Sequence, residues 1–518
     1  MEIFLQRLIN NNFNNKLYGQ LALSILSAIL LILSTPGFGL SFTVFFAFIP
    51  VLIALNSNKA RPLITGWIIG ILYWTVCLSW MTTTFGHFGG APISASIALL
   101  LLVAISGGFA FFAPYTYLAY KKINAVALSL VFVILEAIKG TVFFGGVPWL
   151  NLAQSQYKNT TIIQSVSIYG EYGLSFLIML INILLFYIIK NYKSKKNYIF
   201  LIITIIIMIL PGIYRAINPI TGEKNIKVAS IQPGYDQSIK WDNNYRLEII
   251  NNINNMINSI NLSEYDLLVL PESSYPTSVI RTDFLYNYLK EKSKITPIIF
   301  GSDRLEFYPD NTSNNGAQKY NMYNSMFLLD NESLSYYDKR HLTPFGEYFP
   351  FENLLQPIKE FFFGPGQMFS PGVDPVNLKT KDITIAPIIC FESAFSELLR
   401  IQVMNNANLL VFISNDTWFG KNQGKIQHFA VDTIRGIEYG KAVVRTTQDG
   451  ISGFILPNGK APNIEKEAIP KILFQEVPLI EKNTFYGKFG NIWVIVVLGL
   501  LLYNFIKNKK KKKINEEI

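Results

Sequence analysis

The 518-residue chain is half hydrophobic, 14% aromatic and only 15% charged, with a formal net charge of +10 at pH 7. So low a charged fraction in so long a chain excludes a single soluble domain and points to a membrane protein. The positive balance does not point to nucleic acid, because much of it sits in "KNKKKKK" (507–513) directly after an apolar segment, where it reads as a cytoplasmic anchor at anionic lipid.

In chain order, apolar runs at 17–34, 41–56, 62–80, 92–118, 124–142, 172–189 and 198–214 are predicted membrane spans, the second of them short. The first is not read as a signal peptide, since further spans follow and "STPGFGL" is a poor cleavage site. After a long polar stretch, "NIWVIVVLGLLLYNFI" (491–506) forms an eighth predicted span. Basic residues alternate along these runs. Arg7 and Lys16 precede the first, Lys59 and Arg61 follow the second, and Lys121 and Lys122 follow the fourth; Lys190, Lys193, Lys195 and Lys196 follow the sixth. The loops 35–40 and 81–91 carry no lysine or arginine. By the positive-inside rule both termini are cytoplasmic and residues 215–488 lie outside. The expected organisation is helices one to seven in 1–215, a catalytic domain in 216–488, and the eighth helix with a basic tail in 489–518. Glu136 and Lys139 are charges within a span, expected near the surface or paired with each other at i,i+3.

The outer segment reads as α/β. Strands are expected at 227–233, 266–272, 297–303, 323–330, 383–390, 408–416, 442–447 and 451–460, with helices near 243–260, 278–292, 393–405 and 425–440. Strands buried on both faces and separated by helices imply a covered sheet, with chemistry gathered at the strand ends.

Glu272 in "LVLPES", Lys339 in "YYDKRHLTPFGEYFP" and Cys390 in "ITIAPIICFES" stand at or near such ends. The only other cysteine, Cys77, lies in an apolar span, which argues against a disulfide. The histidines His87, His341 and His428 show no metal-ligand spacing. A thiol with an ordinary pKa of about 8.5 needs activation. A buried carboxylate can serve as its base and a lysine can stabilise the thiolate and the oxyanion, so Glu, Lys and Cys make an acyl-transfer set without histidine. His428, on a helical stretch, reads as structural.

"LVLPES", "DKRHLTPFGEYFP", "IICFES" and "ISNDTWFG", in this order among eight spans, resemble the membrane-embedded branch of the nitrilase (carbon-nitrogen hydrolase) superfamily. The resemblance implies an αββα sandwich outside the bacterial inner membrane, and no cofactor or metal. It implies Glu272 as general base, Lys339 as electrostatic stabiliser and Cys390 as nucleophile. Glu347, Glu392 and Trp241 match supporting positions, Trp418 falls in the fourth motif, and the backbone N–H of Phe391 would complete the oxyanion hole. Phe391 stands where tyrosine is common, and Gln448-Asp449 where paired asparagines are common. The implied reaction moves an acyl chain from a phospholipid, through a thioester on Cys390, to the α-amine of the lipid-modified N-terminal cysteine of a diacylated apolipoprotein; the protein is expected to be a monomer with no nucleic acid partner. "GPGQMFSPG" (364–372), with the aromatic run before it, is expected to form a flap over the cleft. The rival readings are a membrane-tethered amidase with the same triad and a transporter or sensor whose outer domain only binds ligand.

Overall fold

The computed structural model describes residues 12–88, 90–142, 145–312, 318–350 and 368–503. The expected flap falls mostly in 351–367, outside the described residues. The first half is helical: α1 (Leu17–Ser34), α2 (Ile49–Leu55), α3 (Pro62–Cys77), α4 (Ile93–Gly107), α5 (Ala113–Tyr120), α6 (Ala125–Lys139), α7 (Val166–Lys190) and α8 (Lys195–Ile217). By length and composition, Leu17–Ser34, Ile93–Tyr120, Ile163–Lys190 and Lys195–Ile217 are long and apolar enough to cross a membrane. Ser41–Leu55, Pro62–Cys77 and Trp493–Tyr503 are apolar but shorter. α3 packs closely on the α4–α5 stretch: a Cβ on Gly70 would stand 2.2 Å from Gly108 Cα. Small residues let the backbones meet, as they do where helices pack in lipid.

Two expectations are corrected here. The run 41–56 is not one helix but a 3₁₀ segment (Ser41–Phe45) followed by α2, with Pro50 at the start of the latter. Backbone groups freed at such a break must find partners. Asn182, on α7, supplies them: its Nδ2 donates to Val44 O at 2.9 Å and its Oδ1 accepts from Phe48 N at 3.0 Å. Nor do Glu136 and Lys139 sit at the surface or bond each other. Both are buried; Lys139 Nζ donates to Trp149 O at 2.7 Å, and Glu136 Oε1 accepts from Leu152 N at 2.8 Å. They satisfy backbone groups of a buried segment, 146–156, that is irregular as far as its 3₁₀ turn at Leu152–Gln156.

The second half holds two six-stranded sheets. The first contains β1 (Lys224–Gln232), β2 (Leu267–Val269), β3 (Ile298–Thr312), β4 (Gln318–Asp330), β5 (Ser333–Asp338) and β12 (Lys471–Leu479), in the order β12-β1-β2-β3-β4-β5. The second contains β6 (Leu378–Thr380), β7 (Ile383–Ile389), β8 (Leu409–Ser414), β9 (Val443–Thr447), β10 (Ser452–Ile455) and β11 (Asn463–Glu465), in the order β11-β10-β9-β8-β7-β6. Each has a parallel centre, β1-β2-β3 or β7-β8-β9, with antiparallel flanks.

Alternation along the strands builds the layers. Ile226, Val228, Leu267 and Val269 of one sheet meet Ile383, Ile385, Leu409, Val411 and Ile413 of the other in a core between the sheets. The intervening Ala229, Ile231 and Leu268 face α9 (Arg246–Asn258) and α10 (Asp283–Ser293). Ala386, Ile388, Leu410 and Phe412 face α11 (Ser396–Met404) and α12 (Gly424–Tyr439). The result is the αββα sandwich expected. α12 is buried along nearly its whole length, because its other side, through Val431, Ile434 and Ile437, joins the core of the helical half.

Candidate active site

Three side chains converge where strands end. β2 runs out into Leu270-Pro271-Glu272, and Gly301 on β3 lies so close that a Cβ there would come within 2.7 Å of Glu272 Cα. β5 ends at Asp338, so Lys339 follows directly. β7 ends at Ile389, and Cys390 begins a 3₁₀ turn with φ +53°, a left-handed conformation that a non-glycine residue holds only when its surroundings impose it. Glu272 and Lys339 are buried, while Cys390 is partly exposed.

A chain of hydrogen bonds joins the first two. Asn324 Nδ2 donates to Glu272 Oε1 at 2.6 Å and to Glu347 Oε1 at 2.7 Å. Glu347 Oε2 pairs with Lys339 Nζ at 2.7 Å and accepts from Thr343 N at 2.7 Å. The second oxygen of Glu272 accepts from the backbone N of Asn415 at 2.7 Å. Glu392 joins the turn of Cys390 to the loop of Lys339. One oxygen accepts from Ile389 N at 2.9 Å; the other accepts from Tyr337 OH at 2.8 Å, Arg340 N at 2.7 Å and His341 N at 3.1 Å. Glu347 thus pairs with the lysine, and Glu392 ties the turn of the cysteine to the lysine's loop.

The electrostatics assign complementary tendencies. Burial pushes the Glu272 carboxyl up, the nearby Glu347 charge adds to this, and Lys339 opposes it; the net is a carboxyl held above its ordinary value. Burial alone would raise Glu347, but Lys339 outweighs it and keeps that carboxylate ionised. Burial would lower Lys339, yet Glu347, the Cys390 thiol and Glu272 hold it charged. Burial, then the Glu272 carboxylate, push the Cys390 thiol up, against Lys339. The resting pair is therefore a protonated thiol beside a carboxylate with raised proton affinity. Such an arrangement can take up the thiol proton as sulfur reacts instead of storing a thiolate. Lys240, fully buried, donates to Ser273 O, and burial draws its amine down to about 7 against the pull of Glu272.

Of the remaining expected residues, Trp241 is half exposed and follows Lys240, whose ammonium lies 5.4 Å from its ring centre. Trp418 is partly exposed in a 3₁₀ turn, its carbonyl bonded by Thr84 Oγ1 at 2.9 Å. The Phe391 ring packs on Phe395, with centroids 5.3 Å apart, and on Trp149 at 6.2 Å. Asn324, Asn415 and Lys240 were not foreseen. Asn415 stands in the quoted "ISNDTWFG", but its contribution is a backbone N–H, which no residue type reveals.

The site abuts the helical half. Gln427 of α12 accepts on Oε1 from Trp80 Nε1 at 3.1 Å and Trp149 Nε1 at 2.8 Å, and donates to Cys77 O at 2.9 Å. The Trp149 ring also lies 6.2 Å from Phe419 and 5.7 Å from His428. Further along, Arg435 pairs with Glu171 and Glu438, and Glu171 N donates to Glu438 Oε1 at 2.7 Å. The thiol turn is thus backed by Trp149, a ring from the irregular segment between α6 and α7 of the helical half.

Comparison with known proteins covers both halves. Residues 27–184 match the family described as "Apolipoprotein N-acyltransferase N-terminal domain", and residues 227–467 match "Carbon-nitrogen hydrolase". Apolipoprotein N-acyltransferase of Geobacter metallireducens is 31% identical over 490 residues, covering 91% of this chain and 92% of that protein. The protein of the same name from Haemophilus ducreyi is 30% identical over 476 residues, covering 89% and 90%. Among solved structures, a nitrilase-superfamily member of branch 10 from Saccharomyces cerevisiae is 18% identical and covers 50% of this chain and 91% of its own, with a TM-score of 0.36.

Proposed function

We propose a catalytic route for this chain from one premise: it belongs to the apolipoprotein N-acyltransferase family. It is an acyltransferase of a membrane, and it transfers an acyl chain from a phospholipid to the N-terminal amine of an apolipoprotein. In the first half-reaction Glu272 takes the Cys390 proton as sulfur attacks the ester carbonyl of the phospholipid. The oxyanion develops towards the Lys339 ammonium and the Phe391 N–H, one of the early turn N–H groups that lack an intrahelical partner. Collapse breaks the ester C–O bond; Glu272 returns the proton to the leaving alkoxide, and lysophospholipid departs from a Cys390 thioester. In the second half the α-amine of the lipid-modified cysteine attacks the thioester and passes a proton to Glu272. Collapse then forms the amide and releases the thiolate, which takes the proton back. Glu347 and Glu392 hold Lys339 and Cys390 in register, while Trp241 and Trp418 border the mouth.

The observation that carries this reading is the placement of the Glu272–Asn324–Glu347–Lys339 chain beside a cysteine turn backed by Trp149 of the apolar, helical half. A soluble amide needs no such neighbours, which disfavours the tethered amidase; two membrane-held substrates do. The reading includes all eight spans, a catalytic domain at 216–488 on the periplasmic side of the inner membrane, both termini in the cytoplasm, and a monomer. The direct test incubates the protein with phospholipid labelled in one acyl chain. Wild type should carry label that hydroxylamine removes, and Cys390→Ser should carry none. Equal hydroxylamine-labile labelling of the serine variant would overturn the assignment.

A further inference from the structure

His428 lies fully inside the protein, on α12, one residue after the Gln427 that grips the helical half. Its Nδ1 is 2.8 Å from Asp416 Oδ1, and its Nε2 is 3.2 Å from the carbonyl oxygen of Cys390 and 3.2 Å from Ser393 Oγ. A backbone carbonyl only accepts, so the Cys390 contact asks for a hydrogen on Nε2, where the Ser393 hydroxyl can either accept or donate. The Asp416 carboxylate, which Arg445 Nη2 also binds at 2.8 Å, only accepts as well, so its contact asks for a hydrogen on Nδ1. Serving both acceptors at once takes an imidazolium. Charge balance agrees: Arg445 Nε also pairs with Asp432, and Asp432 Oδ1 lies 3.8 Å from Nε2, so two buried carboxylates face one guanidinium and one imidazolium. Burial alone would lower the imidazole, but Asp416 and Asp432 outweigh it and hold it above its ordinary value.

The Cys390 carbonyl and the Phe391 N–H are the two ends of one planar peptide unit. A charged donor on the oxygen withdraws density through that unit and makes its N–H a stronger donor. It also fixes the plane of a peptide that follows a residue at φ +53°, where the backbone has no preference of its own to hold it. We propose that His428 is a positioning residue for oxyanion stabilisation, acting through the Cys390–Phe391 peptide and without touching substrate. This rests on the thioester route above and adds to it a member outside the Glu-Lys-Cys set. The role requires the imidazolium and its Asp416–Arg445–Asp432 support, and a merely packed ring would not supply it.

The test separates two reactions of the same thiol in the full-length protein in detergent micelles free of phospholipid. Acylation by a long-chain activated aryl ester passes through an oxyanion; alkylation by iodoacetamide displaces iodide and forms none. His428→Phe keeps a ring against Trp149 and Phe419 but removes both N–H groups. Ester acylation should fall at least about tenfold, short of the roughly hundredfold or greater loss seen when an oxyanion donor is deleted outright. Alkylation at Cys390, read by mass spectrometry of its peptide, should stay within about twofold of wild type. The double variant His428→Phe with Asp416→Asn restores neutrality, provides a folded protein should the single change not, and should show the same split. Unchanged acylation overturns the proposal, and so does a parallel fall in both reactions, which would place His428 on the thiol or on folding. Cys390→Ser labelling decides the route independently, so a negative result here leaves that question to its own experiment.

Discussion

The protein has two internal seams, and they are built on different principles. Between the sheets, Ile, Val and Leu side chains from alternate strand positions meet, and neutral pairs such as Ser230 with Thr446 at 2.7 Å and Ser452 with Gln232 at 2.6 Å join them. Between the helical half and the second sheet, apolar contacts surround a fully buried arginine with two glutamates and a glutamine shared by two tryptophans and a carbonyl. A mainly apolar seam holds chiefly by area. A seam with buried charges holds one arrangement, because every alternative strands a buried donor or charge. The Cys390 turn lies beside the second kind, which fixes its relation to the helical half.

The comparison breaks most severely at Arg435. Arg435→Leu leaves Glu171 and Glu438 uncompensated and should cost roughly 3–5 kcal/mol, measured as a lowered unfolding midpoint in detergent. A loss near zero would mean that the polar seam does not hold the halves together. Between the sheets, Leu409→Ala should cost about 3 kcal/mol while leaving acylation per folded molecule intact. Gln427→Leu unpairs two indole N–H groups and a carbonyl and should cost about 2 kcal/mol. Unlike Leu409→Ala, it should also slow acylation, since Trp149 backs Phe391. The pH dependence sharpens the picture at the site. Glu272 must be ionised to act, and its carboxyl is held above the ordinary range first by burial and then by Glu347. The acid limb of single-turnover acylation should therefore lie above that of a free glutamate, with activity lost as pH falls through it. Glu347→Gln removes the raising charge and should move the limb to lower pH; a stationary limb would show that another group is the base. Least of all, Lys224→Ala should leave the unfolding midpoint unchanged. Its 2.7 Å pair with Asp382 spans the two sheets at their rim but is exposed on both sides.

Much of the sandwich was legible. Ile383, Ile385 and Ile389 alternate with Ala386 and Ile388, and that period places them in separate layers. The four quoted motifs brought Glu272, Lys339 and Cys390 to strand ends. The edge strands β6 and β11 were not legible, because three residues carry too little pattern. Nor was β12, whose Pro478 and scattered charges mask its alternation with β1. Asn324 links two glutamates through a tertiary contact, and Asn415 acts through its backbone; neither leaves a local signature. His428 reads from sequence as structural, and only the fold shows that the Cys390 carbonyl stands opposite. The second apolar run looked continuous, since nothing but Pro50 marked the interruption.

That interruption bears on how the chain is made. The peptide groups at Val44 and Phe48 depend on an amide contributed by a residue 134 to 138 positions later. Until translation reaches Asn182, the early hairpin would expose bare amides to hydrocarbon at several kcal/mol each. It must therefore wait at the lipid–water boundary or inside the insertion machinery, and settle only when its distant caretaker arrives. Stalled nascent chains ending before and after residue 182 should differ in the protection of 41–55 from aqueous labelling, and equal protection would show that the hairpin settles unaided.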